Sequence, residues 1–298
     1  FIAQEKKIKQ DFKISSKDMG EAKDGDKVVV RLFRWEGTHP EAVVVRILGQ
    51  TGEHKAEMHS IILEYGIETD FPEDVLAEAD ALPGTIPEEE IAQRRDMRSI
   101  PTCTIDPADA KDFDDALSLR TLDNGNYEVG VHIADVSHYV KPGTALEREG
   151  YDRATSVYLV DRTIPMLPER ISNDLCSLRP HEDRLAFSAV FELTPEGEVA
   201  DEWFGRTVIH SKRRFVYEEA QEVIESGKGD FPKELDTLNK LAHRLRDRRF
   251  AEGSLSFETD EVRFRLDEEG VPQEVYIKAR FDAHKLVEDF MLLANRRV

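Results

Sequence analysis

Two valine-rich runs, Lys27–Phe33 and Ala42–Leu48, flank a short segment containing Gly37 and Pro40. That spacing predicts an antiparallel strand pair from a small β-barrel or sheet, with Phe1–Asp26 as more of the same unit. Such a barrel is either plain scaffold or a surface for single-stranded nucleic acid. From Glu53 to Ala81 the period becomes helical, with Met58, Ile61, Ile62 and Tyr65 at helix spacing, until Leu82-Pro83-Gly84 and Ile86-Pro87 break it. Glu88-Glu89-Glu90 begins a further helix, because acidic side chains complement the positive end of the helix dipole.

Beyond Arg98 the pattern returns to strands. Tyr127, Val129, Val131 and Ile133 alternate on one side of a run, and Phe187, Ala189, Phe191 and Leu193 on one side of another, so both read as half-buried strands. Asn124-Gly125 predicts a hairpin turn between Ala116–Leu122 and the first of these. Pro232–Arg249 is helical, with Leu235, Leu238, Ala242 and Leu245 on its apolar stripe and Gly253 after its end. Arg244, Arg246, Arg248 and Arg249 crowd its other faces, as an exposed charged surface or as a phosphate-facing track. Asp282–Arg297 is a second helix, burying Ala283, Leu286, Val287, Phe290 and Leu293. The domain reading is therefore a barrel over 1–50, an acidic helical connector over 51–97 and a larger unit over 98–298.

Charge sharpens this picture. The 298 residues carry 61 acidic and 41 basic side chains, a net charge of -20, which argues superficially against a polyanionic partner. The distribution matters more than the sum: acidic residues dominate 51–100, whereas Arg206–Arg214 and Lys240–Arg249 are basic clusters. No apolar run reaches membrane-spanning length, so no membrane partner is expected. Cys103 and Cys176 have no metal-ligand spacing and give no disulfide framework, which favours core positions in a protein of the reducing cytoplasm. The chain starts at Phe1 and stops inside an apparent helix, and reads as a piece of a longer protein.

The strongest chemical signal is Ile105-Asp106-Pro107-Ala108-Asp109-Ala110-Lys111-Asp112-Phe113-Asp114-Asp115-Ala116. Carboxylates packed this densely repel one another unless water or a cation neutralises them, and hard oxygen donors suit Mg²⁺, Mn²⁺ or Ca²⁺. Pro107 keeps Asp106 from continuing into a helix, so a loop can fold Asp106, Asp112, Asp114 and Asp115 towards a common centre. The spacing does not follow the calcium-loop pattern, and the lack of a Cys/His set disfavours zinc. Spacing alone leaves three readings open: metal catalysis on a phosphate ester, a structural cation, and an exposed acidic loop.

The residues also resemble a known family. Thr104-Ile105-Asp106 through Asp112-Phe113-Asp114-Asp115-Ala116 is similar to the signature of the ribonuclease II/ribonuclease R (RNB) catalytic domain. Val131–Val140, Ile164–Pro168, Leu175–Leu178 and Glu288–Asn295 follow in the family's order. The resemblance runs from about Arg98 to Val298. It implies an α+β fold, a mixed-sheet RNB-type catalytic domain with helices, preceded by part of a small OB-like (cold-shock) β-barrel. The implied activity is that of a processive, Mg²⁺-dependent 3′-to-5′ exoribonuclease, with Mn²⁺ as a substitute, acting on single-stranded RNA with a free 3′ end and releasing nucleoside 5′-monophosphates. No obligate protein partner is implied.

By motif position, Asp106, Asp112 and Asp115 resemble metal ligands and Asp114 the carboxylate on which the chemical step depends, while Asp109 matches no motif position. Tyr158 resembles the aromatic that stacks near the 3′-terminal nucleotide, with Phe257 as a weaker opposing aromatic. Glu288 resembles a carboxylate beside the RNA end that accepts ribose hydroxyl hydrogens, with Asp289 as its alternative. His132 and Asp135 read as structural. The family's later arginine motif and a further RNA-binding barrel have no counterpart here, so this chain is expected to bind metal yet cleave poorly. The competing readings are an RNA-binding protein without catalysis and a metal-dependent phosphatase.

Overall fold

The computed structural model describes residues 1–3, 8, 10–35, 40–255, 261–268 and 270–298. It divides into two compact units, Phe1–Asp70 and Phe71–Val298. In the first, β1 (Asp26–Arg34) pairs antiparallel with β2 (Glu41–Gln50), as the valine pattern predicts. Helix α1 (His54–Glu64) folds back on β2, burying Met58 and Ile62 while Ile61 and Tyr65 stay exposed. The close approach depends on Gly49, whose φ is +135° and where a Cβ would stand 3.0 Å from that of Ala56.

The helical stretch Glu53–Ala81 is thus two helices. Helix α1 ends at Gly66, with φ +66°, and α2 (Glu73–Ala81) starts after Pro72 in the second unit. The acidic stretch 51–97 is divided between the two units.

The second unit is built on a seven-stranded sheet. Its strands in chain order are β3 (Arg95–Asp96), β4 (Thr102–Asp106), β5 (Asp115–Thr121) and β6 (Tyr127–Ala134), then, past a small separate pair β7 (Val157–Tyr158) and β8 (Thr163–Ile164), β9 (Asp183–Leu193), β10 (Val199–His210) and β11 (Arg213–Val216). The order across the sheet is β11-β4-β5-β6-β9-β10-β3, with β11 parallel to β4, β3 parallel to β10, and the rest antiparallel. The sheet is mixed, and its helices complete an α+β fold.

After α2 come three short helices, α3 (Glu88–Ala92), α4 (Val136–Tyr139) and α5 (Ala145–Arg153). The later helices α6 (Tyr217–Ser226), α7 (Pro232–Ala251) and α8 (Asp282–Arg297) cover one face of the sheet, packing on Ile105, Leu117, Val129, Val131, Ala189 and Phe191. On the other, Ala116, Ala134, Ala186 and Val190 meet Val75 and Ala79 of α2, Leu146, and Ile171 and Leu175 of the π-helical turn Arg170–Leu175. Both cysteines are buried and free. No helix among the described residues is long and apolar enough to cross a membrane.

Because both faces are covered, β6 and β9 are more deeply buried than alternation predicts. His132, Ser188 and Val190, on the expected outer side, are buried. Conversely Ile133 and Phe187, expected inside, are 43% and 45% exposed. Ile133 pairs with Asp115 on one side and with Phe187 on the other, near the end of the sheet where the aspartate loop returns.

A polar chain crosses the middle of this core. His132 Nδ1 lies 2.7 Å from Ser188 Oγ, His132 Nε2 2.9 Å from Ser118 Oγ, and Ser188 Oγ 2.6 Å from Thr207 Oγ1. A neutral imidazole donates from one nitrogen and accepts at the other. One ordering therefore satisfies every member: Ser118 donates to Nε2, Nδ1–H to Ser188, Ser188 to Thr207, and Thr207 to the Ala186 carbonyl. Gly130 makes room for the ring, since a Cβ there would fall 2.4 Å from Ser118 Oγ and 2.5 Å from His132 Nε2.

Gly130→Ala is expected to lose about 2 kcal/mol in urea unfolding, because the two atoms in its way hold each other; unchanged stability would refute the packing argument. Burial holds the His132 pKa down at about 3, against 6.5 for the free side chain. The unfolded chain then binds a proton near pH 6.5 that the folded chain refuses until about pH 3, so this group's stabilisation is complete above pH 6.5 and falls with acidification. Between pH 6.5 and 5 the loss attributable to His132 is about 2 kcal/mol. His132→Gln should flatten the pH dependence by that amount in unfolding measured at both pH values.

Candidate active site

The aspartate segment lies where two sheet neighbours turn. Strand β4 ends at Asp106, Pro107 leads the chain out of the sheet, and the loop returns at Asp115, the first residue of β5. Antiparallel pairing of Cys103 with Leu117 brings these ends side by side. On the other flank, parallel β11 sets Val216 beside Asp106 and launches α6 at Tyr217.

The loop is tied down at several points. The Phe113 N–H donates to Ser177 Oγ at 3.0 Å, and that hydroxyl donates to the Lys111 carbonyl at 3.1 Å. Leu178 N–H donates to the Phe113 carbonyl at 2.8 Å, and Ala134 N–H to the Asp114 carbonyl at 2.9 Å. Arg184 Nε in turn reaches the Ser177 carbonyl at 2.8 Å. From β11, Arg214 Nη2 donates to the carbonyls of Pro107 and Ala108 at 2.6 and 3.1 Å.

This scaffold gathers Asp106, Asp112, Asp114 and Asp115 within electrostatic reach of one another. Burial, with the charges of Asp115 and Asp112 adding to it, raises the Asp106 pKa to about 7, while the Thr104 hydroxyl and, less strongly, Arg214 pull the other way. Burial, then Asp112 and Asp115, raise Asp114 to about 6, and burial raises Asp115 to about 6. Asp106 Oδ2 is buried and has no hydrogen-bond partner. Among the described residues no three His, Cys, Asp or Glu side chains close on a single ion-binding centre. Hard oxygen donors, an orphaned buried carboxylate oxygen and mutual repulsion together fit a divalent cation that would draw the side chains inward.

Two aromatic residues border the cluster. Tyr158 on β7 is 69% exposed, and its hydroxyl pKa is raised by partial burial and by the charges of Asp112 and Asp114. On the other side Tyr217 is pushed to about 12 by burial, then by Asp115 and Asp106. Its ring stacks on His284 at 3.8 Å and 8°. Tyr217 also lines a groove of about 980 Å³ with Lys278, Arg280, His284, Lys285 and Glu288.

Glu288 is exposed on α8 and ion-paired with Arg280. Its neighbour Asp289 is buried, accepting a hydrogen bond from Arg246 Nε at 2.9 Å and ion-paired with Arg249 Nη2 at 3.0 Å. Those two arginines are therefore neither an exposed surface nor a phosphate track: they bind α7 to α8 through Asp289. Arg248 pairs with Glu198 at 3.6 Å. Phe257 lies outside the described residues.

Three residues of the site escape a reading by motif role. Ser177 stands inside a family-like segment and Arg214 inside a basic cluster, but neither signal says that the side chain holds the aspartate loop. Tyr217 carries no sequence signal beyond its place at a strand-to-helix junction.

Comparison with known proteins fits this geometry. The RNB domain family matches residues 94–298 and the cold shock domain family residues 1–72. Ribonuclease R of Thermotoga maritima is 40% identical over 307 residues, covering 100% of this chain and 43% of that protein. DIS3-like exonuclease 2 of Xenopus tropicalis is 43% identical over 289 residues, covering 90% of this chain and 35% of that protein. The chain thus spans less than half the length of these relatives. The structure of Mycoplasma genitalium RNase R in complex with ribose-methylated single-stranded RNA superposes with a TM-score of 0.90 at 23% identity, over 97% of this chain and 46% of that one. With the family match spanning every strand of the sheet and the three helices on one of its faces, the chain belongs to the RNB domain family, and its catalytic-type fold is preceded by a cold-shock-like domain.

Proposed function

We propose that the protein containing this chain is a Mg²⁺-dependent, processive 3′-to-5′ exoribonuclease that hydrolyses single-stranded RNA to nucleoside 5′-monophosphates. The observation that carries this reading is the gathering of four aspartates at the rim of the sheet, with the exposed ring of Tyr158 on one side and the Glu288 groove on the other. The relatives named a ribonuclease and an exonuclease support the same reaction class. Two free, buried cysteines support a reducing, cytoplasmic setting.

In this proposal Asp106, Asp112 and Asp115 hold the cation. When bound, Mg²⁺ supplies a nucleophilic hydroxide near neutral pH and neutralises charge developing on the phosphate. Asp114, its carbonyl held by the Ala134 N–H of β6, is the carboxylate on which the chemical step depends. Tyr158 offers a flat, solvent-accessible ring on which any base stacks, so affinity there is independent of sequence. Glu288, exposed and held by Arg280, accepts from ribose hydroxyls, and a 2′-hydroxyl contact favours RNA over DNA. Phe257 is assigned the opposing aromatic on the resemblance alone.

Digestion of a 5′-labelled RNA by the full-length protein tests the reading. Stepwise shortening supports the exonuclease, undigested RNA in a bound complex supports a binding protein, and loss of terminal phosphate alone supports a phosphatase. Asp114→Asn should lower cleavage on the order of a thousandfold while RNA still binds; wild-type activity in that variant would defeat the assignment. Tyr158→Ala should lengthen the limit product more than it slows each step, and an unchanged product ladder would remove Tyr158 from the site.

A further inference from the structure

Arg214 is unusual in this chain. Acidic side chains outnumber basic ones, and most arginines of the second unit sit in ion pairs. Among the described residues Arg214 makes no ion pair with a carboxylate, although it stands two residues from Val216, the in-register neighbour of Asp106. Its Nη2 instead donates to two successive carbonyls, Pro107 at 2.6 Å and Ala108 at 3.1 Å. Its guanidinium carbon lies 5.5 Å from the centre of the Phe113 ring. Phe113 is the residue whose backbone is held on its other side by Ser177 and Leu178.

One planar group thus touches the outgoing limb of the loop, just after Asp106, and the returning limb, between Asp112 and Asp114. Nη2 reaches both carbonyls while the flat face of the same guanidinium lies against an aromatic ring, and a lysine ammonium, which has no such plane, cannot do both at once. Strand β11 is itself anchored in the sheet beside β4, so the clamp is rigid where it is rooted.

We propose that Arg214 is a positioning residue: it pins both limbs of the aspartate loop and thereby sets Asp106 relative to Asp112, Asp114 and Asp115 before a cation arrives. The inference rests on the reading of these aspartates as cation-holding residues. Its action is through the loop backbone, and it takes no part in the chemical step.

The test uses the full chain with Arg214→Met, which keeps an unbranched stem without charge, and Arg214→Lys, which keeps the charge without the planar face. Two readouts are needed. Titration with Mn²⁺ alone should show affinity lower by about 10- to 100-fold in Arg214→Met, with Arg214→Lys failing to restore it. Amide hydrogen exchange in the metal-free protein should be faster by about tenfold at Ala110, whose N–H donates to the Pro107 carbonyl, and at Phe113. Full recovery by lysine, or unchanged exchange in both variants, would overturn the proposal by reducing Arg214 to a charge. Should Arg214→Met not fold, Arg214→Lys carries both readouts. A wild-type chain that takes up no Mn²⁺ defeats the cation reading of the aspartates, while the exchange rates still decide whether Arg214 clamps the loop.

Discussion

Burying like charges is the constraint around which the second unit is organised. Four carboxylates at the rim of a sheet repel one another, and with burial removing the water that would screen them, three have pKa values displaced well above the usual carboxylate range. Nothing in the cluster itself holds it together. Its position comes from β4 and β5 ending side by side and from backbone ties supplied by residues far away in sequence: Ser177, Leu178, Ala134 and Arg214. An arrangement that is locally unfavourable and globally enforced is what the proposed cation site would need.

The enforcing structure is stiff for reasons visible in its core. A seven-stranded sheet covered on both faces leaves its central strands with no solvated side, so any polar group there must be paired within the protein. The Ser118–His132–Ser188–Thr207 chain meets that requirement across four adjacent strands, β5, β6, β9 and β10. It fixes the register of the same strands whose ends carry Asp115 and the backbone donor to Asp114, since a one-residue slip would break every hydrogen bond in it. Core polarity and site geometry are therefore linked through the β5–β6 pairing.

A second division of labour separates two adjacent acids on α8. Asp289 is drawn inward by Arg246 and Arg249 and joins α7 to α8, while Glu288, one residue earlier and so about 100° around the helix, faces the groove. Removal of Asp289 from solvent by two arginines leaves Glu288 as the carboxylate available to a ligand. Tyr217 connects this groove to the aspartates, since it feels the charge of Asp106 and Asp115 and stacks on His284 within the groove lining.

Much of this protein was legible in its sequence, because local rules govern it. Valine alternation located β1 and β2, the Asn124-Gly125 turn joined β5 to β6, and the apolar stripes of α7 and α8 named the residues that cover the sheet. The aspartate segment was conspicuous because clustered charge beside buried apolar residues has few physical explanations. What the sequence could not determine is whatever depends on partners distant along the chain. Alternation in β6 and β9 implied one wet face, but two helical layers buried both and left Ile133 and Phe187 exposed at the rim. The arginines of α7 looked like a surface until Asp289, some 40 residues on, took two of them. Arg214, Ser177 and Tyr217 acquire their places only when β11 lies beside β4 and the Leu175–Leu178 segment reaches the loop, because a side chain's role in holding a backbone is set by what folding brings within 3 Å of it.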